Sequence, residues 1–212
     1  MRYIIMCGGT YEKWNQPKQL AIIKGEPIVA RTIRLLREAG VKDIAISTND
    51  TRFDDFGVPV LYHFNPYHLP KDSDATSPWL DAFYPTQTPV CYLFGDVVFS
   101  PEAIKTIVNT QTKDIEFFAS AKPLPAIYPK RWAEPFAFKV ANPEHFFEAI
   151  GRTIYLDNMG AFLRQPVSWE LWQVIKGTKL NKVDYTNYTV INDYTCDVDV
   201  PEDIGIFEKL IF

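Results

Sequence analysis

The chain has 212 residues, 47% hydrophobic and 15% aromatic, enough for one well-cored domain over 1–212 when roughly 100–200 residues make a domain. Its formal net charge of −4 argues against nucleic acid as the main partner, because that role calls for a concentrated basic surface. No apolar run reaches the roughly 18 residues of a membrane span, no charged leader precedes an apolar stretch, and Cys7, Cys91 and Cys196 lack disulfide or zinc spacing, so a soluble, cytoplasmic protein with reduced thiols is expected.

The first strand, residues 3–6, runs into a glycine turn, Cys7-Gly8-Gly9-Thr10. Paired glycines after an apolar strand offer bare backbone N–H groups to an anion, which makes Gly8, Gly9 and Thr10 candidate phosphate ligands. The stretch matches neither G-x-G-x-x-G nor G-x-x-x-x-G-K-[ST], so a different nucleotide-binding logic is needed. Pro27 opens a helix with Ile28, Val29, Ile33, Leu35 and Leu36 apolar, and Gly40 stops it. Ile44–Thr48 reads as a second buried strand and 58–62 as a short third. Ser77-Pro78 reads as the N-cap and first position of a helix through 79–83. Val90–Phe94 is the next buried strand, ending on Gly95-Asp96, and Ser100-Pro101-Glu102 caps a helix through 104–108. Residues 117–120 and 136–140 read as strands, 143–150 and 168–175 as short helices, and the last helix starts at Pro201. The Pro-rich stretch 122–135 has the composition of a lid. Alternating strands and helices predict an α/β fold, a mostly parallel central sheet flanked by helices.

The order of the glycine turn, Pro17-Lys18-Gln19-Leu20, Gly25-Glu26-Pro27, Ala39-Gly40-Val41, Gly95-Asp96 and Asp197-Val198-Asp199-Val200-Pro201-Glu202-Asp203 resembles the nucleotidyltransferases of the glycosyltransferase-A-like fold. That family includes sugar-phosphate nucleotidyltransferases, phosphocholine cytidylyltransferases and molybdenum-cofactor guanylyltransferases. The likeness spans nearly the whole chain and is most specific in the first fifty residues and at 199–203. It implies a Rossmann-like fold and an enzyme that joins an NTP to a phosphorylated small molecule, a sugar phosphate or phosphocholine, releasing pyrophosphate for surface polysaccharide assembly.

Attack of an acceptor phosphate on the α-phosphorus of an NTP brings two polyanions together, so positioning and charge neutralisation by Mg²⁺ and lysine carry the catalysis. Mg²⁺ takes one or two protein carboxylates and keeps phosphates and waters. Asp96, just past a buried strand, is the first candidate ligand; the alternative, a helix cap, is already filled by Ser100. Asp197 and Asp199 project to one side of an extended segment; taken alone, Asp199 would equally cap the helix after it, and it is the resemblance that implies Asp199 as ligand with Asp197 in support. Lys18 matches the family lysine that contacts phosphate oxygens. Where the family carries an arginine after its glycines, this chain has Tyr11-Glu12-Lys13-Trp14, and Lys13 substitutes as a point charge without the bidentate fork.

Asn65, Asp74, Thr76 and Ser77 lie where the family reads the base, although turn and cap chemistry explains such residues equally. Glu134, Trp169 and Glu170 are candidates for the acceptor pocket; against that, Trp169 and Trp172 share a helix face, which usually means core. His63, His68 and His145 have no assigned role. Two further readings stay open. A glycosyltransferase of the same fold would carry D-x-D, but Asp96-Val97-Val98 lacks the second carboxylate; a non-catalytic nucleotide-binding protein would explain the missing arginine.

Overall fold

The computed structural model describes residues 1–8, 13–63, 79–121 and 133–211. In chain order the elements are β1 (Arg2–Met6), β2 (Ile22–Ile23), β3 (Glu26–Pro27), α1 (Ile28–Glu38), β4 (Ile44–Thr48), β5 (Val60–Tyr62), β6 (Val90–Phe94), β7 (Val97–Val98), α2 (Pro101–Asn109), β8 (Ile115–Ser120) and β9 (Pro135–Val140). There follow α3 (Pro143–Asn158), α4 (Ser168–Lys176), β10 (Thr189–Ile191), β11 (Cys196–Asp197) and α5 (Asp203–Leu210).

Seven strands form one sheet in the order β10-β8-β9-β6-β1-β4-β5. β1 lies parallel to both β4 and β6, and β5 runs parallel to β4. β9 is antiparallel to both of its neighbours, β6 and β8. The expected mostly parallel α/β sheet is therefore present, with one reversed strand. β4 and β6 are buried along their whole lengths, as strands covered on both faces must be. Helix α1 ends at a left-handed Gly40, φ +86°, a conformation that costs glycine little. Ser100 caps α2 as expected, its Oγ accepting from Ala103 N at 2.9 Å.

Aromatic rings fill much of the core. Phe117 stacks on Phe138 with centroids 4.5 Å apart, and Phe83 meets Tyr92 and Phe146 edge-on at 5.1 Å each. A second, smaller core gathers Ala21, Ile23, Ile28, Val98, Cys196, Val198, Phe207 and Ile211. It lies where the β2–β3 hairpin, the antiparallel β7–β11 ribbon and α5 meet.

Some boundaries differ from the sequence expectation. The helix expected over 79–83 is a single 3₁₀ turn, Leu80–Ala82, with Pro85 close behind, and a proline disfavours helical geometry in the residue before it. The helix expected over 143–150 continues to Asn158, burying Thr153 one turn further on. The last helix begins at Asp203 because that carboxylate accepts from Asp199 N at 2.8 Å and Val200 N at 3.0 Å, folding the preceding residues into a turn. Of the expected lid, 122–132 lie outside the described residues, while Ala133 is buried and Pro135 starts β9.

Candidate active site

The chain passes from β1 outward to β4 and β5, then returns to β6 on the other side of β1. In open α/β sheets ligands bind where the strand order reverses, outside the carboxyl ends of the strands. Here that point is the end of β1 at Cys7-Gly8 and the end of β6 at Gly95-Asp96. Gly95 N donates to Met6 O at 3.0 Å, and a Cβ on Gly95 would stand 2.3 Å from that same oxygen. Only glycine allows the two strand ends to approach this closely.

Asp96 follows directly. Its Oδ2 is 2.8 Å from Lys18 Nζ, with both side chains largely buried. Lys18 belongs to a 3₁₀ turn, Lys18–Leu20, and also donates to Val198 O at 2.9 Å. The ribbon that brings in the other carboxylates starts beside Asp96: Val198 N donates to Asp96 O at 2.9 Å, and Asp197 pairs with Val97. Trp14 Nε1 donates to Asp199 O at 3.2 Å. Burial by itself would lower the Lys18 pKa, but the charge and hydrogen bond of Asp96, followed by the charges of Asp197 and Asp199, outweigh it and the net shift is upward. All three carboxylates thus act on one ammonium. Residues nearly two hundred positions apart in the sequence converge here.

The carboxylates are hard oxygen donors, the type Mg²⁺ takes. Among the described residues no group of three or more His, Cys, Asp or Glu side chains could hold a metal ion. Of the three carboxylates expected as ligands, Asp96 is paired with Lys18, and Asp197 and Asp199 act on the same ammonium through their charge. Lys13 is exposed at the surface. Gly8 stands at the end of β1, while Gly9, Thr10, Asn65, Asp74, Thr76 and Ser77 lie outside the described residues.

A cavity of about 220 Å³ is lined by Trp79, Glu134, Arg164, Trp169 and Tyr185, among others. The antiparallel register of β9 on β6 carries Glu134, just before β9, to the sheet edge that holds Asp96. Trp79 packs edge-on against Phe94, 5.4 Å between centroids. Trp169 lines the cavity yet is 3% exposed, its ring against Phe117, Tyr185 and Tyr188. Trp172 is core. Glu170 sits behind the cavity wall, binding Arg164 Nε at 2.7 Å and accepting from Val167 N at 3.0 Å at the start of α4. Sequence reasoning did not find Arg164, Tyr185 or Trp79, because their only signal is proximity in the fold.

Residues 3–150 match the model of a MobA-like NTP transferase domain. No curated protein sequence matches the chain. Among solved structures it is similar to a putative glucose-1-phosphate thymidylyltransferase from Bacillus anthracis, with TM-score 0.62 and 14% identity over 99% of this chain and 94% of that one. It is similar also to the inositol-1-phosphate CTP transferase of T. maritima, with TM-score 0.58 and 14% identity over 99% and 95%. A third is CTP:phosphocholine cytidylyltransferase from Streptococcus pneumoniae, with TM-score 0.53 and 15% identity over 100% and 99%. At such identities the likeness is one of fold.

Proposed function

The chain belongs to the MobA-like NTP transferase family, and we propose that it couples an NTP to a phosphorylated sugar or phosphocholine-like alcohol, with Mg²⁺, releasing pyrophosphate. The activated product would feed surface polysaccharide assembly. The observation that carries this reading is the meeting of Lys18 with Asp96 at the strand switch point, with Asp197 and Asp199 acting on the same charge.

Gly8 and the glycine turn after it offer backbone N–H groups to the triphosphate. Lys18 meets phosphate oxygens and Lys13 approaches from the surface. Asp96 and Asp199 would hold the metal, with Asp197 supporting them. Mg²⁺, when bound, neutralises charge on the triphosphate and orients it. The rest is positioning. Trp14 and Asp203 fix the backbone on either side of Asp199, and the cavity beside Asp96 receives the acceptor between Glu134 and the aromatic wall. Thr76 lies in the segment assigned to the base. The glycosyltransferase alternative is disfavoured because Val98, where D-x-D would need a carboxylate, is fully buried under β11.

The test is pyrophosphate release with CTP, UTP, GTP, ATP and dTTP in turn, each with Mg²⁺ and a pool of sugar 1-phosphates and phosphocholine. Thermal shifts run alongside: a ligand at about 100 times its Kd adds ~2.7 kcal/mol, raising the melting temperature by about 5–11 °C for a chain of this size. Turnover with one NTP establishes the class and the base. Binding of none of them refutes the reading.

A further inference from the structure

Helix α4 begins on the wall of the cavity beside Asp96, where Val167, Ser168 and Trp169 line it together with Arg164 and Glu134. Ser168 is fully buried, and its Oγ has no hydrogen-bond partner among the described residues. Buried hydroxyls are nearly always paired, so this one marks a place where the bond comes from the contents of the cavity. A serine at a cavity wall needs only a χ1 rotation to present its hydroxyl to those contents, and it can donate once and accept twice.

Arg164 is held beside it. Its Nε donates to Glu170 Oε1 at 2.7 Å, and the same glutamate, 3% exposed, accepts from Val167 N at 3.0 Å, which ties the guanidinium to the start of α4. The contacts with Glu170 involve Nε and Nη2, which leaves donors on a five-donor group whose side chain is about half exposed. Glu170 balances the guanidinium charge, and Glu134 adds carboxylate oxygens, which only accept. Donors and acceptors thus alternate around a space of about 220 Å³. That is below the roughly 300–1,000 Å³ of clefts for drug-sized ligands, and suits one small carbon skeleton.

We propose, on the nucleotidyltransferase reading of the site, that this cavity selects the hydroxyl groups of a sugar or polyol phosphate, read by Ser168 and Arg164, and rejects a phosphorylated quaternary ammonium alcohol. A polyol satisfies donors and acceptors at once. A trimethylammonium group has no N–H or O–H for Ser168 and meets a like charge at Arg164. The cation–π contact that would favour it needs an open ring face, whereas Trp169 is 3% exposed, packed by Phe117, Tyr185 and Tyr188.

The test is steady-state kinetics of pyrophosphate release with the NTP that most raises the melting temperature. Hexose 1-phosphates, inositol 1-phosphate and phosphocholine serve as separate acceptors for the wild type, Ser168→Ala and Arg164→Gln. A sugar or inositol phosphate should exceed phosphocholine by about 100-fold or more in kcat/KM. Ser168→Ala should raise KM for the preferred acceptor about tenfold with kcat nearly unchanged. It should melt within about 2 °C of the wild type, because no protein group loses a partner. Arg164→Gln, which removes the charge, should narrow the preference over phosphocholine. Preference for phosphocholine, turnover of no acceptor by a protein that an NTP stabilises, or variants whose KM and preference match the wild type overturn the proposal. No melting shift with any NTP sinks instead the nucleotidyltransferase reading beneath it.

Discussion

Gly95→Ala is the most direct test of how the strand ends build the site. The new Cβ would stand 2.3 Å from Met6 O and 3.0 Å from Cys7 Sγ. The first of these is backbone, held in register by β1 pairing with both β4 and β6, so no side chain can swing aside to relieve it. Overpacking of this kind costs about 1–3 kcal/mol, or about 2–12 °C in melting temperature for a chain of this length. The relief available is separation of the ends of β1 and β6, which moves Asp96 away from Gly8 and Lys18. A misplacement of about 1 Å costs turnover about 100-fold, so activity should fall further than stability accounts for. Differential scanning fluorimetry and pyrophosphate release measure the two effects, with Gly151→Ala as a control: nothing lies within 4 Å of a Cβ there, and a mid-helix alanine should add about 0.5–1 kcal/mol. A Gly95→Ala protein that melts and turns over like the wild type would refute the close-approach argument.

Asp96→Asn and Asp199→Asn should each lower turnover by about 100-fold or more while leaving the fold intact, read by pyrophosphate release beside circular dichroism; full activity in either removes that carboxylate from the mechanism. Lys139, 5% exposed, donates to Ile107 O, Val108 O and Thr110 O at 2.9, 2.8 and 2.7 Å, closing the C-terminal end of α2 from β9. Burial lowers its pKa, yet three acceptors require the protonated form with its three N–H donors, and Lys139→Met should cost about 2–4 kcal/mol in urea unfolding. Burial, then the charge of Asp96, pushes the Cys7 thiol well up, and burial, opposed by Lys139, pushes Cys91 up to about 12. Unfolded thiols ionise near roughly 8.5, so the contribution of these two to stability is complete below that pH and is lost as pH rises towards the folded values. Urea midpoints should fall between pH 8 and 10, less steeply in Cys91→Ala, and native Cys7 and Cys91 should resist alkylation at pH 8.

The strands of the large sheet were legible wherever an apolar run was long enough to reveal burial. Val90–Phe94 and Ile44–Thr48 appear with the expected bounds, and Ser100-Pro101 marks the start of α2 through chemistry local to four residues. The β7–β11 ribbon was not legible as a pair. Two-residue strands have no period to read, and their partners stand about a hundred residues apart. Asp203 shows the same limit. Its sequence position suggests a charge near a helix start, whereas its two hydrogen bonds reach backward to shape the turn that carries Asp199. Glu170 was read as a pocket carboxylate, and its place behind Arg164 depends on a loop conformation that residue types do not specify. Lys18 was legible as a candidate through the family resemblance and Asp96 through its place past a buried strand; that they bind each other was not.

The second, smaller core gives that last contact a mechanical meaning. Asp96 stands where the chain steps off the large sheet into the ribbon, and Val198, whose carbonyl Lys18 also binds, belongs to the small core. The ammonium thus joins the two cores across a seam that the Val198 N to Asp96 O hydrogen bond also crosses. If substrate phosphate competes for that ammonium, the fastening loosens on the side of α5 and β11, while the aromatic core that sustains the sheet is left untouched. The contact for which substrate phosphate would compete thus lies on the small core's side of the site, away from the aromatic rings that pack the sheet.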